Sequence, residues 1–156
     1  NYSISQMPRD EGRIVGEAFS PAEIAGAALR NNCKSIAYTY TEPTIYYELA
    51  RDTMVEAKKL DLMNVFVTNG YMTAAALELL VAAGLDGMNV DVKGDAKAVK
   101  AYCGVDVEMV WRNCRRARST SSAIVTALSS RLTRSPAAPP EYDRSRYGRD
   151  PRGGIR

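Results

Sequence analysis

The sequence predicts an α/β chain built on a parallel sheet, and three observations predict it. Short β-rich runs at residues 35–41, 64–68 and 87–92 alternate with helical patterns. Each run ends in polar residues: Thr41-Glu42, Thr68-Asn69, and Asp91 with Lys93. The runs are separated by enough chain for a crossover helix, the connection that parallel neighbours need. Right-handed crossovers bring all the strand C-termini to one rim, where α/β folds hold their ligands.

Each element has a local cause. Ser20-Pro21-Ala22-Glu23 starts a helix: the serine caps, the proline takes the first turn, and Glu23 sits where a capping box needs it. Ile24, Ala27, Ala28 and Leu29 follow at helical spacing, and the helix is expected to end near Asn31-Asn32. Ile36, Tyr38 and Tyr40 make the first strand. Residues 44–60 read as one helix, with Ile45, Leu49, Thr53 and Met54 near one face. Asn69-Gly70 turns the chain out of the second strand. Thr73 caps a helix over 74–83, and Gly84 stops it. Residues 95–102 and 105–118 read as two helices broken at Gly104. Three strands are too few to close an eight-stranded barrel, which takes about 250 residues.

Composition narrows the function. The 156 residues hold no histidine, which removes Ser-His-Asp and Cys-His nucleophile systems. The three cysteines, Cys33, Cys103 and Cys114, form no CxxC pair. Neither a disulfide framework nor a zinc or iron–sulfur site is expected from them, and Cys33 and Cys103 read as small buried residues. No apolar run of about eighteen residues is present. The polar start, residues 1–11, has no signal-peptide pattern, so a cytoplasmic protein is expected.

The chain divides at 118/119. Residues 1–118 carry fourteen Lys/Arg and fifteen Asp/Glu; residues 119–156 carry seven arginines, three acids, no lysine and four of the seven prolines. This tail has no amphipathic period apart from the apolar stretch at 124–128 and is expected to be disordered. A nucleic-acid-binding reading would rest on its arginines alone.

Candidate chemistry sits on the rim. In Tyr38-Thr39-Tyr40-Thr41-Glu42-Pro43-Thr44, Pro43 biases Glu42 to an extended shape, so that its carboxylate could accept hydrogen bonds from a ligand ammonium; a capping segment with an exposed Glu42 is the alternative. On the third strand, Met88, Val90 and Val92 share one face and Asn89, Asp91 and Lys93 the other. Asp91 and Lys93 could bind a ribose hydroxyl and a carboxylate, or form a plain surface ion pair. Thr68-Asn69-Gly70 could be a ligand-facing loop or an ordinary turn.

Taken together with Asn1-Tyr2-Ser3-Ile4-Ser5-Gln6, these stretches resemble the radical S-adenosylmethionine proteins related to pyruvate formate-lyase-activating enzyme, in particular the AmmeMemoRadiSam-system branch. The resemblance covers residues 1–118. It implies part of a (β/α) TIM-like barrel. It also implies a four-iron, four-sulfur (4Fe-4S) cluster, held by a CxxxCxxC loop, that reductively cleaves S-adenosylmethionine to a 5′-deoxyadenosyl radical for hydrogen abstraction. By resemblance, the cofactor-binding residues are Thr39, Tyr40, Thr41, Glu42 and Pro43, in place of a Gly-Gly-Glu-like motif against the methionine amino group, with Thr68, Asn69, Asp91 and Lys93. The implied partners are S-adenosylmethionine, an electron donor and an unspecified substrate, small molecule or protein; neither membrane nor nucleic acid is expected.

The sequence contains no CxxxCxxC. The cluster ligands are expected upstream of Asn1, and the chain alone is expected to be inactive. The alternatives are a non-redox α/β domain for a nucleotide-like ligand, or nucleic-acid binding through the tail. The abrupt change at Ser119-Thr120-Ser121-Ser122 also raises the expectation that 119–156 is partly a product of frameshifted GC-rich coding DNA, with residues 124–126 a short return to sense as a barrel strand.

Overall fold

The computed structural model describes residues 6–120 and 124–129. In chain order these form α1 (Met7–Glu11), α2 (Pro21–Arg30), β1 (Ser35–Tyr38), a 3-10 turn (Pro43–Tyr46), α3 (Tyr47–Lys59), β2 (Met63–Thr68), α4 (Ala74–Ala82), β3 (Gly87–Val92), α5 (Ala96–Cys103), α6 (Val107–Thr120) and β4 (Ile124–Ser129). The four strands make one parallel sheet in the order β1-β2-β3-β4. Each new strand therefore adds on the same side of the last.

The register fixes the faces. Tyr38 pairs with Phe66, and Phe66 with Met88, so these side chains share one face. They are buried in a single core with Val90, Val92, Met54, Leu77, Leu80, Val99 and Val110. The helices therefore cover that face. The opposite face carries Ala37, Val65, Val67, Asn89 and Asp91, all partly or fully exposed. A parallel sheet with sequential strand order and helices on one face is an arc of a (β/α) barrel, with the second face lining the lumen.

Local causes hold where they were read. Ser20 and Glu23 close a capping box: the Ser20 amide donates to Glu23 Oε2 at 2.8 Å, and the Glu23 amide to Ser20 Oγ at 3.3 Å. The Ser20 hydroxyl, which donates to Glu23 Oε2 at 2.6 Å, and then the Ser20 amide hold the exposed Glu23 carboxyl below its ordinary value. Thr73 caps α4 by accepting from the Ala76 amide; Asp95, read as the first residue of its helix, caps α5 by accepting from the Ala98 amide, and Gly104 ends α5 in the left-handed region.

Several expectations change. β1 stops at Tyr38 and does not run to Thr41, because Tyr40 turns the backbone to φ 77°. The helix read over 44–60 is a 3-10 turn followed by α3, and the turn resets the helical phase. The buried face is Ala50, Thr53, Met54 and Ala57, while Ile45 is 69% exposed and Leu49 41%. Two alanines there let α3 lie close to the sheet. Cys33 and Cys103 are exposed, not buried: one sits in the turn after α2 and the other at the open end of α5. Cys114 is buried, and burial pushes its thiol up, so it stays protonated.

The sheet also has a fourth strand. α6 runs across the 118/119 boundary to Thr120, and β4 then pairs with all of β3, from Gly87↔Ile124 to Val92↔Ser129. The disorder and reading-frame expectations for 130–156, and all seven arginines of the nucleic-acid alternative, lie outside the described residues, as does Asn1-Tyr2-Ser3-Ile4-Ser5.

Candidate functional site

A cleft of about 330 Å³ opens at the C-terminal rim, over the ends of β1, β2 and β3. From the loop after β1 come Thr39, Tyr40, Thr41 and Glu42; from the end of β2, Val67, Thr68 and Asn69; from the end of β3, Asp91 and Lys93. Of the residues singled out from the sequence, Pro43 alone does not line it. Pro43 is buried at the first position of the 3-10 turn, where its fixed φ starts the turn and its missing N–H costs nothing.

The Glu42 carboxylate is placed differently from the expected open rim group. Its Oε1 accepts from Thr68 Oγ1 at 2.6 Å, from Thr44 Oγ1 at 3.1 Å and from the Thr44 amide at 3.3 Å. Its Oε2 accepts from the Asn69 amide at 2.7 Å. Glu42 thus caps the 3-10 turn and joins the loop after β1 to the end of β2. Thr68 Oγ1 in turn accepts from the Gly70 amide at 3.0 Å. The other end of the loop is held by Tyr46, whose hydroxyl donates to the Thr39 carbonyl at 3.1 Å. Burial, and then the nearby Glu42 charge, raise the Tyr46 phenol, which keeps this donor protonated.

Asp91 and Lys93 lie on the lumen side, as strand alternation requires, and pair with each other. Both are about half exposed, at 49% and 53% for their side chains, so the pair adds little stability and its charges remain open to a ligand. One strand position deeper, Asn89 Oδ1 is buried without a hydrogen-bond partner. Its register neighbours are Val67 on β2 and Thr126 on β4. Such an atom marks a lumen face that still lacks a polar partner.

The family model of the Radical SAM superfamily matches residues 5–128. The chain belongs to the radical SAM superfamily. It is 44% identical over 118 residues to uncharacterized protein MJ0808 of Methanocaldococcus jannaschii, a match that takes in 76% of this chain and 34% of that protein. The radical SAM chain therefore spans about a third of the length of the curated relative it matches. A solved domain of pyruvate-formate lyase-activating enzyme from Bacteroides vulgatus is 16% identical, with a TM-score of 0.48 over 60% of this chain and 58% of that one.

Among the described residues of this radical SAM chain, no group of three or more His, Cys, Asp or Glu side chains is placed to hold a metal ion. A 4Fe-4S cluster therefore has no ligand set among them. Nor is any described helix long and apolar enough to cross a membrane.

Three residues of the site lie outside the cofactor-binding set that the resemblance implied. Val67 gives the cleft an apolar floor. Tyr46 anchors Thr39. Asn113, on α6, donates from Nδ2 to the Gly70 and Met72 carbonyls and fixes the turn behind Asn69. A signal for Asn113 existed: it is the polar member of the otherwise apolar stripe Val110, Cys114, Ala117.

Proposed function

We propose that the rim cleft is the S-adenosylmethionine site of a radical SAM enzyme, with Thr39, Tyr40, Thr41, Glu42, Pro43, Thr68, Asn69, Asp91 and Lys93 as the cofactor-binding segment. One observation carries the reading: side chains from three separate βα loops of a radical SAM chain meet in one cleft. The chemistry of the lining suits the cofactor. Hydroxyls and a carboxylate can meet the ribose, Lys93 can meet the amino-acid carboxylate, and the unpartnered Asn89 below offers a further polar contact.

When bound, S-adenosylmethionine supplies one-electron chemistry for hydrogen abstraction in this superfamily. The chain's own part is to bind and orient. Lys93 offers a charged donor that costs little to redirect from the exposed Asp91. Tyr46 holds its proton and so holds Thr39. Cluster ligands, electron donor and hydrogen-giving substrate, small molecule or protein, belong to the proposal and not to the described residues.

Calorimetric titration of the 156-residue chain with S-adenosylhomocysteine tests the reading through the contacts the rim itself would make. Saturable one-site binding is expected, and Lys93→Ala should weaken it by about 1–3 kcal/mol through a lost charge-assisted hydrogen bond. Absence of binding, or binding indifferent to Lys93, would count against the assignment.

A further inference from the structure

We infer that Glu42 is a positioning residue of the cleft: its carboxylate staples the loop after β1 to the end of β2 and acts on ligand binding through that loop. This role rests on the reading of the cleft as a cofactor site, and it reverses the role that the family pattern would give to a glutamate here. The reason is occupancy. An ionised carboxylate has about four lone-pair sites, and four hydrogen bonds already converge on this one: three on Oε1 and one on Oε2. The two shortest, from Thr68 Oγ1 at 2.6 Å and the Asn69 amide at 2.7 Å, bridge 26 and 27 positions of sequence. That leaves a ligand ammonium no open site on Oε1 and one lone pair on Oε2, beside the short bond from the Asn69 amide.

The neighbours are arranged to keep it so. Thr68 is buried, and its hydroxyl is oriented by the Gly70 amide, which leaves the hydroxyl proton for Glu42. Tyr40, two residues earlier, has φ 77°, a conformation unfavourable for a bulky side chain and one that persists only where surrounding contacts enforce it. The staple at Glu42 and the Tyr46 bond to Thr39 are the two contacts that flank it. Residues 39–41 line the cleft, so a loop fixed at both ends presents them to a ligand already ordered.

The test separates positioning from contact. Thr68→Val removes the shortest bond to Glu42 but leaves the carboxylate and its charge, freer to reach a ligand. If Glu42 positions, Thr68→Val weakens S-adenosylhomocysteine binding by about tenfold, Thr68→Ser restores it, and Glu42→Gln adds little on top of Thr68→Val. If Glu42 contacts the ligand, Thr68→Val leaves binding unchanged or tighter, Glu42→Gln weakens it independently, and the inference fails. A second measurement needs no binding variant. The Asn69 amide proton, on a charge-assisted bond, should resonate downfield in the wild-type chain and stay there when S-adenosylhomocysteine is added. Loss of that downfield position on titration would overturn the inference, as would an Asn69 amide that keeps it in Glu42→Gln. Should the wild-type chain not bind S-adenosylhomocysteine, the cofactor reading falls, while the Asn69 and Thr44 amides still decide whether Glu42 is the staple.

Discussion

Asn113 Nδ2 donates to the Gly70 carbonyl at 2.9 Å, across 43 positions of sequence. The same group donates to the Met72 carbonyl at 2.8 Å. One buried amide on α6 thereby satisfies two carbonyls of the turn that delivers Asn69 to the cleft. Asn113 is 4% exposed, so its removal leaves both acceptors without their donor in a largely buried site. Asn113→Ala is expected to destabilise the chain by about 2–4 kcal/mol, from two lost bonds and two stranded acceptors. Urea denaturation should show a lower midpoint with an unchanged slope.

Gly70 is held by sterics as well. Its φ is 75°, and a Cβ there would stand 2.9 Å from Val90 Cγ1 and Val110 Cγ1, both core side chains. Gly104 has nearly the same φ, 73°, but a Cβ on it would meet nothing within 4 Å. Backbone strain is therefore common to Gly70→Ala and Gly104→Ala, and packing belongs to the first alone. The expected cost is about 1 kcal/mol at Gly104 and about 2–4 kcal/mol at Gly70, where strain and overpacking add. Equal losses in chemical denaturation would show that the β2 turn can yield.

Much of this was legible in the sequence, and the exceptions share a cause. The faces of β3 follow from strict alternation, and the caps at Ser20 and Thr73 from local chemistry, both of which sequence displays. The rim grouping followed from strand C-termini. What did not show was set by distant partners. Glu42 turns inward because Thr68 and Asn69 are there to receive it. Ile45 faces solvent because a 3-10 turn breaks the helical phase that would have buried it, and Leu49 lies at the edge of the buried stripe Ala50, Thr53, Met54, Ala57. The strand expected at 124–126 is present and runs on to Ser129, a length set by its pairing with the whole of β3.

Alkaline pH should unfold the chain through its tyrosines. Burial raises the phenols of Tyr38, Tyr46 and Tyr47, Tyr38 most of all, and each donates a hydrogen bond: to Asn64 Oδ1 at 2.9 Å, to the Thr39 carbonyl at 3.1 Å and to the Ala76 carbonyl at 2.7 Å. A proton held more tightly in the folded state means that, above the ordinary phenol value of about 10, the unfolded chain binds fewer protons. Their contribution is fully present below that pH and is lost as pH rises through the folded values. Unfolding free energy should therefore fall from about pH 10 upward. In Tyr38→Phe the fall should be shallower, from a lower plateau, because Asn64 Oδ1 loses its donor. An identical slope in wild type and Tyr38→Phe would rule Tyr38 out as a source of the effect.

The last prediction concerns β4. In the chain, β3 is a central strand, paired through Val65–Thr68 on one side and Ile124–Ser129 on the other. Cutting after Arg118, at the composition change, would remove β4 and the end of α6 and leave the whole of β3 as an open edge. It would also uncover the core where the half-buried Val125 packs against it. An exposed parallel edge rich in apolar residues is a template for association. A chain ending at residue 118 should therefore unfold at lower urea than the 156-residue chain and show concentration-dependent association in sedimentation velocity. A chain ending at residue 129 keeps the full register and should match the 156-residue chain in both measurements. If the two truncations behave alike, β4 contributes nothing to the sheet and residues 119–129 belong with the tail; if only the shorter one fails, the barrel arc extends through Ser129.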